Sequence, residues 1–335
     1  MKKIVLSLSL LILLLLVSFT PTFLARSSVL ELEHVSHEED YLEAAIQLQK
    51  LYELGYIDEY ITEEDLRAEF VINDGYILSE GTYIVALDTE TDEIIDINEL
   101  IDNNSLKNTF SRNAYSDNIS KYNSLLVYSV AFKTWISNAG TTTSKINHSA
   151  EVTGVYGVNT RPKDYTIIAS IQRATSENGS YINADNITKT VTLKQVVTIS
   201  AYINSTYYWK SDSMAYANYS NASYRASAKN EGPWLLNKKG MKYPEYTDPK
   251  SKKVMTKPVS TTWSANSSSS CALTNSDRRA YRTWYDATYG SLNWNDYEIH
   301  HIRPCKWGGN KDYSNLIPLP YSFHRGTVSP WWVNY

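Results

Sequence analysis

Three of the six histidines in this 335-residue chain fall within its last 36 residues. Two are adjacent, in Tyr297-Glu298-Ile299-His300-His301-Ile302-Arg303-Pro304. The third, His324, stands before Arg325-Gly326. Between them lie Gly308-Gly309-Asn310 and Ser314-Asn315-Leu316. A neutral imidazole can ligate a divalent metal, or it can take a proton from water near neutral pH. An adjacent pair separates these jobs if it sits on a strand, because neighbouring side chains there point to opposite sides. One ring can then hold a metal while the other stays free to act as a base.

The elements that must deliver these rings follow from the surrounding pattern. Trp294–Ile299 reads as a short strand ending at the histidine pair. Gly308-Gly309 marks a tight turn, and Asn315–Leu319 reads as a second short strand. From Tyr321 a helix can carry His324 back towards His300. Upstream, Asn275–Tyr289 reads as a helix whose Arg278, Arg279 and Arg282 either touch a nucleic-acid backbone or form a solvated face, the two readings being equal. The result is a strand–strand–helix unit with two imidazoles aimed at one point.

In its His–Asn–His order and spacing, its His-His doublet, its Gly-Gly turn and its Asn-Leu pair, this stretch resembles the HNH nuclease family. The ending Val328-Ser329-Pro330-Trp331-Trp332-Val333-Asn334-Tyr335 is similar to that of some exported bacterial HNH toxin domains. The resemblance covers residues 275–335. It implies a ββα-metal fold and metal-dependent hydrolysis of phosphodiester bonds. It assigns His300 and His324 as metal ligands and His301 as the general base. Asn315 would bond the histidine-bearing loop and so orient His301. Some members carry a further histidine four residues after the position of His324. Here that residue is Val328, which leaves two protein ligands, with water and substrate phosphate as the others.

A divalent ion acts as a Lewis acid on a phosphoryl oxygen and a leaving oxygen. Imidazoles suit zinc and its neighbours, whereas magnesium prefers oxygen donors, so one divalent ion of Mg, Mn or Zn is expected. Arg303, Lys306 and Arg325 flank the motif and can clamp phosphates, Arg325 by a bidentate contact. A structural zinc module that recruits Cys305 is the competing reading of the same residues.

The remainder bounds the context. Lys2 and Lys3 followed by the apolar run Ile4–Val17 have the layout of a secretory signal peptide over residues 1–25, with an uncleaved anchor as the alternative. The expected location is therefore secreted, with no stable membrane insertion after signal cleavage. Export permits a Cys271–Cys305 disulfide, and two free thiols are equally consistent with the sequence.

Residues 26–110 carry 22 acidic and 4 basic side chains, a net of −18, while residues 111–335 carry 14 and 26, a net of +12. Such asymmetry points to a nucleic-acid or membrane partner for the basic part. Glu38–Leu54 reads as an amphipathic helix, and Thr62 as an N-cap before an acidic turn. Strands are expected at Tyr83–Leu87, Ile94–Ile97, Leu125–Trp135, Ala150–Val158, Asp164–Gln172, Thr188–Ile203 and Met214–Ala226.

The expected fold class is α+β and multidomain. A small acidic α+β region (26–110) precedes a β-rich, sandwich-like middle domain (111–228). A basic linker (229–270) leads to the C-terminal ββα-metal domain (271–335). Together these readings predict a secreted endonuclease of low sequence specificity. Its partner would be DNA, with RNA as a second substrate, and a toxin role would add an immunity protein. The alternative is a secreted β-rich binding or adhesion protein whose C-terminal metal module is structural.

Overall fold

The computed structural model describes residues 41–57, 59–67, 70, 72, 75–91, 93–108, 125–157, 161–220, 223–225, 229–265 and 271–335. The apolar N-terminal run expected as an export signal lies outside them. Among the described residues, no helix is long and apolar enough to cross a membrane. The chain is of mixed α and β structure, rich in antiparallel sheet.

Helix α1 (41–53) and the short α2 (Glu63–Leu66) come first. Thr62 and Asp65 cap α2 reciprocally, as its Thr-Glu-Glu-Asp sequence leads one to expect. Strands β1 (Tyr76–Asp88) and β2 (Glu93–Ile95), helix α3 (Ile97–Asn108), and strands β3 (Leu125–Ser137) and β4 (Lys145–Tyr156) follow. With β7 (Val197–Tyr202) these strands form one sheet in the order β2-β1-β3-β4-β7. The second sheet has the order β10-β8-β5-β6. It is built from β5 (Asp164–Ala174), β6 (Ile182–Val191), β8 (Tyr207–Asn218) and β10 (Lys229–Leu236), and β9 (Ser223–Arg225) pairs with β8.

The nearly unbroken apolar run of β3 is explained by burial on both faces. Leu126, Tyr128 and Val130 point into a core shared with Ile167, Ile171, Trp209 and Trp234 of the second sheet. Leu125 and Val127, one residue out of phase, point the other way. There they meet Tyr41, Leu48 and Leu51 of α1 and Ile101 of α3. The acidic segment is thus joined to the β-rich segment in one sheet: β1 pairs with β3 from Tyr76↔Ile136 to Asp88↔Leu125.

The strand expected at Ile94–Ile97 ends at Ile95, and Ile97 opens α3 instead; two longer stretches also differ from the sequence expectation. The β-branched run Thr188–Ile203 is two strands, β6 and β7, which lie in different sheets. The break falls at Lys194, whose φ of 61° is left-handed and carries no glycine or asparagine to announce it. The stretch expected as a basic linker begins with β10, whose register shifts between Glu231 and Trp234. Gly232-Pro233 sits in that bulge, at the edge of its sheet, where a missing N–H is tolerated.

Residues 237–265 form little regular structure, yet they pack closely. Tyr243 and Met255 are buried with Trp331, Trp332 and Tyr208. Asp248, fully buried, accepts from the Tyr285 hydroxyl at 2.5 Å. Lys253 donates to the carbonyl oxygens of Tyr313 and Leu316 at 2.5 and 2.9 Å. This segment therefore props up the C-terminal unit, and Lys253 is committed to backbone rather than free for phosphate.

Candidate functional site

Helix α4 (Asn275–Tyr289) begins at a capping box between Thr274 and Asp277 and ends at Gly290, φ 89°. Both signals are local in sequence. Its buried face, Tyr281 and Tyr285, packs on Ile299 and Leu316, and the Tyr281 hydroxyl donates to the Leu316 carbonyl at 3.2 Å. Those partners belong to β11 (Tyr297–His301) and β12 (Leu316–Pro320), an antiparallel pair in which His300 faces Ile317 and His301 faces Leu316 across the ladder. The first strand starts three residues later than its pattern suggests and contains the histidines rather than stopping before them.

The chain then turns through α5 (Tyr321–Phe323), a π-helical turn (His324–Val328) and α6 (Ser329–Val333). Trp331 and Trp332, buried against Tyr243, hold this end in place, and the Trp331 indole N–H donates to the Met241 carbonyl at 2.9 Å.

This framework brings His300 and His324 together. The Nδ1 of His300 lies 3.0 Å from the Nε2 of His324. On its other side, His324 Nδ1 meets a Glu298 carboxylate oxygen at 2.7 Å. Glu298 stands two residues before His300, on the same face of β11. An imidazole whose outer nitrogen is held by a carboxylate is the usual arrangement of a metal-ligating histidine. The 3.0 Å contact is a ring-to-ring hydrogen bond; two nitrogens at about 2.1 Å from one tetrahedral ion sit about 3.4 Å apart, so a small opening of the pair would admit a shared metal in place of that bond.

His300 is nearly fully buried, and burial pushes its pKa down to about 3. It is therefore neutral at ordinary pH, the form a metal requires. Val328, where a third imidazole might have stood, is fully buried in the core with Trp331. Glu298 also receives the Arg325 guanidinium at 2.8 Å, and that cation holds its carboxyl down at about 2. Arg325, stacked over Tyr321, is thus paired to a carboxylate and joined through it to the His300–His324 pair.

His301 points away from that pair. The Cys271 backbone lies beside its ring and raises its proton affinity. The other influences run the opposite way, and burial, the largest, leaves the pKa below the usual histidine range. Arg278 and Lys311 add positive field there. The Nε2 of His301 is covered and has no hydrogen-bond partner among the described residues.

Asn315 fastens the loop that follows. Its Oδ1 accepts from the Arg303 N–H at 2.8 Å, and its Nδ2 donates to the carbonyls of Arg303 and Asn310 at 3.1 and 2.9 Å. Its own carbonyl accepts from the Ile302 N–H at 2.8 Å. Both glycines of the turn are required: Gly308 has φ 83°, and a Cβ on Gly309 would come within 1.8 Å of the Arg303 carbonyl oxygen.

Arg303 stacks over Trp263 at 4.2 Å and donates from Nε to the Trp307 carbonyl at 2.6 Å. Lys306 is exposed beside Trp307. Both border the turn rather than the His300–His324 pair. Arg303, Lys253 and Trp263 line a cavity of about 580 Å³ that reaches Asn310 and Asn315.

Cys271 and Cys305 are bonded, with Cα atoms 5.6 Å apart. This selects between the two readings that the sequence left open. It also removes Cys305 as a thiolate ligand of a structural zinc module in this state. Glu298 escaped the sequence reading, although its i, i+2 spacing to His300 on a strand is the signal that finds it. Arg278 and Lys311 near His301, and the Cys271 backbone, carry no such local signal. No family model, curated protein or solved structure matches the chain.

Proposed function

We propose that the C-terminal unit is a metal-dependent endonuclease of the HNH type, cutting DNA, and RNA as a second substrate, with little sequence preference. The observation that supports this most is the 3.0 Å approach of His300 Nδ1 to His324 Nε2, with Glu298 holding the outer nitrogen of His324. In this reading the two rings hold one divalent ion, of Mg, Mn or Zn, and the ion supplies Lewis-acid stabilisation of charge on phosphate when bound. His301 takes a proton from water at Nε2. Asn315 keeps the loop after His301 in register. Arg325 contributes positive charge beside the ligand pair, and Arg303 and Lys306 bind phosphates flanking the cut.

The role implied by the N-terminal run is that of an exported enzyme. In a competitive role its partner would be a protein inhibitor from the producing cell. Purified protein should nick plasmid DNA with a divalent ion and stop with chelator. His301→Ala should lower the rate by about 10²-fold or more, the usual worth of a general base, while metal affinity stays.

A second reading keeps the metal and drops the chemistry: a secreted β-rich binding protein with a structural C-terminal module. It is favoured by the covered Nε2 of His301 and by the pairing of Arg325 with Glu298. It predicts no cleavage with any metal.

A further inference from the structure

Cys271, Cys305 and His301 form a second cluster, on the side of β11 away from His300. One ligand atom from each lies within 4.8 Å of the other two. Cys271 is buried, and the other two are half-buried. With the sulfurs joined, the cluster is a disulfide beside an imidazole and offers no thiolate.

We propose that reduction of this disulfide creates a zinc site with Cys271, Cys305 and His301 as its ligands. Two thiolates and an imidazole are a donor set that zinc and cobalt favour over magnesium or calcium. Zinc at about 2.3 Å from sulfur and about 2.1 Å from nitrogen needs the two sulfurs, joined at present, to separate while His301 stays within its present 4.8 Å limit, within reach of side-chain rotation. The His301 Nε2 is buried and has no hydrogen-bond partner among the described residues, as a nitrogen awaiting a ligand would be. Water completes the four positions.

The redox step balances with a phosphine as reductant. The phosphine attacks one sulfur and the S–S bond breaks. Water then supplies the oxygen of the phosphine oxide and the protons of two thiols. Each thiol releases its proton as its sulfur binds zinc. In this state the nitrogen assigned to water activation is occupied by zinc. That consequence rests on the nuclease reading; the metal site itself does not.

The test uses the full chain, reduced with a phosphine under nitrogen and titrated with Co²⁺ alone. One equivalent should produce a near-ultraviolet thiolate-to-cobalt charge-transfer band, and Zn²⁺ should abolish it. The oxidised protein and the Cys271→Ser/Cys305→Ser variant should lack the band. The His300→Ala/His324→Ala variant should keep it. His301→Ala should weaken cobalt binding by about tenfold or more.

Absence of the band from reduced protein that keeps its near-ultraviolet circular dichroism overturns the proposal. Loss of that dichroism on reduction, unrestored by zinc, overturns it equally. In a parallel cleavage assay, zinc should inhibit only the reduced protein. A protein that cleaves nothing in either state defeats the nuclease reading and leaves the cobalt result standing.

Discussion

His324 is held from both ends: its Nε2 lies 3.0 Å from His300 Nδ1 and its Nδ1 lies 2.7 Å from Glu298. The carboxylate therefore sets the plane in which the ring presents its inner nitrogen. It also fixes Arg325. One acidic side chain, two residues before His300, couples the His300–His324 pair to the Arg325 guanidinium.

Glu298→Gln tests this coupling. An amide keeps the shape but loses the charge that pairs with Arg325 and polarises His324. Divalent-metal affinity, measured by calorimetry, should fall by about tenfold or more. Unchanged affinity would mean that Glu298 serves Arg325 alone.

Asn315→Ala removes three hydrogen bonds and leaves the Arg303 N–H without its acceptor. These bonds are exposed, so water replaces the lost partners and the net cost is about 0.5–1.5 kcal/mol. The denaturation midpoint should drop accordingly, and hydrogen exchange at the Arg303 amide should accelerate. In the nuclease reading the loss appears in kcat more than in KM. Full protection of that amide in the variant would contradict the role given to Asn315.

Trp331→Ala should cost about 3–5 kcal/mol, the range for emptying a large aromatic site in a core. The side chain is fully buried against Tyr243 and its N–H bonds Met241. Val333→Ala is the control, because Val333 is 70% exposed and should change stability little. Chemical denaturation of both variants decides it.

The buried ring of His148 makes the sheet core sensitive to acid. It bonds Thr134 at 2.8 Å, and burial pushes its pKa down to about 4. The unfolded chain, with an ordinary histidine pKa of about 6.5, therefore binds the proton first. Stability from this group is complete above that value and is lost as pH falls towards 4. The steepest loss is about 1.4 kcal/mol per pH unit. His300 titrates in the same direction, so the comparison is between the native chain and His148→Leu at pH 7 and pH 5. The native chain should lose more stability on acidification; equal losses would remove His148 as the cause.

How much of this was legible follows from where each signal lies. Helix α4 was, because Thr274, Asp277 and Gly290 mark both of its ends within the chain itself. The meeting of His300 with His324 was legible from the order of residues and the Gly-Gly turn between them. The β-rich middle was legible as strands but not as two sheets, since nothing local to Lys194 shows that the chain changes sheet. Residues 237–265 looked like a linker because prolines and lysines dominate there. Their order comes from distant partners: Tyr285 for Asp248, and Tyr313 and Leu316 for Lys253. The joining of the acidic segment to the same sheet likewise depends on pairing between β1 and β3, which composition does not encode.

The central claim is that the rings gathered at the C-terminus cut nucleic acid with a metal. Its most direct test is the rate of plasmid nicking by the oxidised full-length protein with Mg²⁺, Mn²⁺ or Zn²⁺, set beside His301→Ala at the same metal occupancy. The account predicts chelator-sensitive nicking by the native chain and a loss of about 10²-fold or more in the variant. Equal rates for the two proteins, or no nicking with any of the three ions, would contradict it.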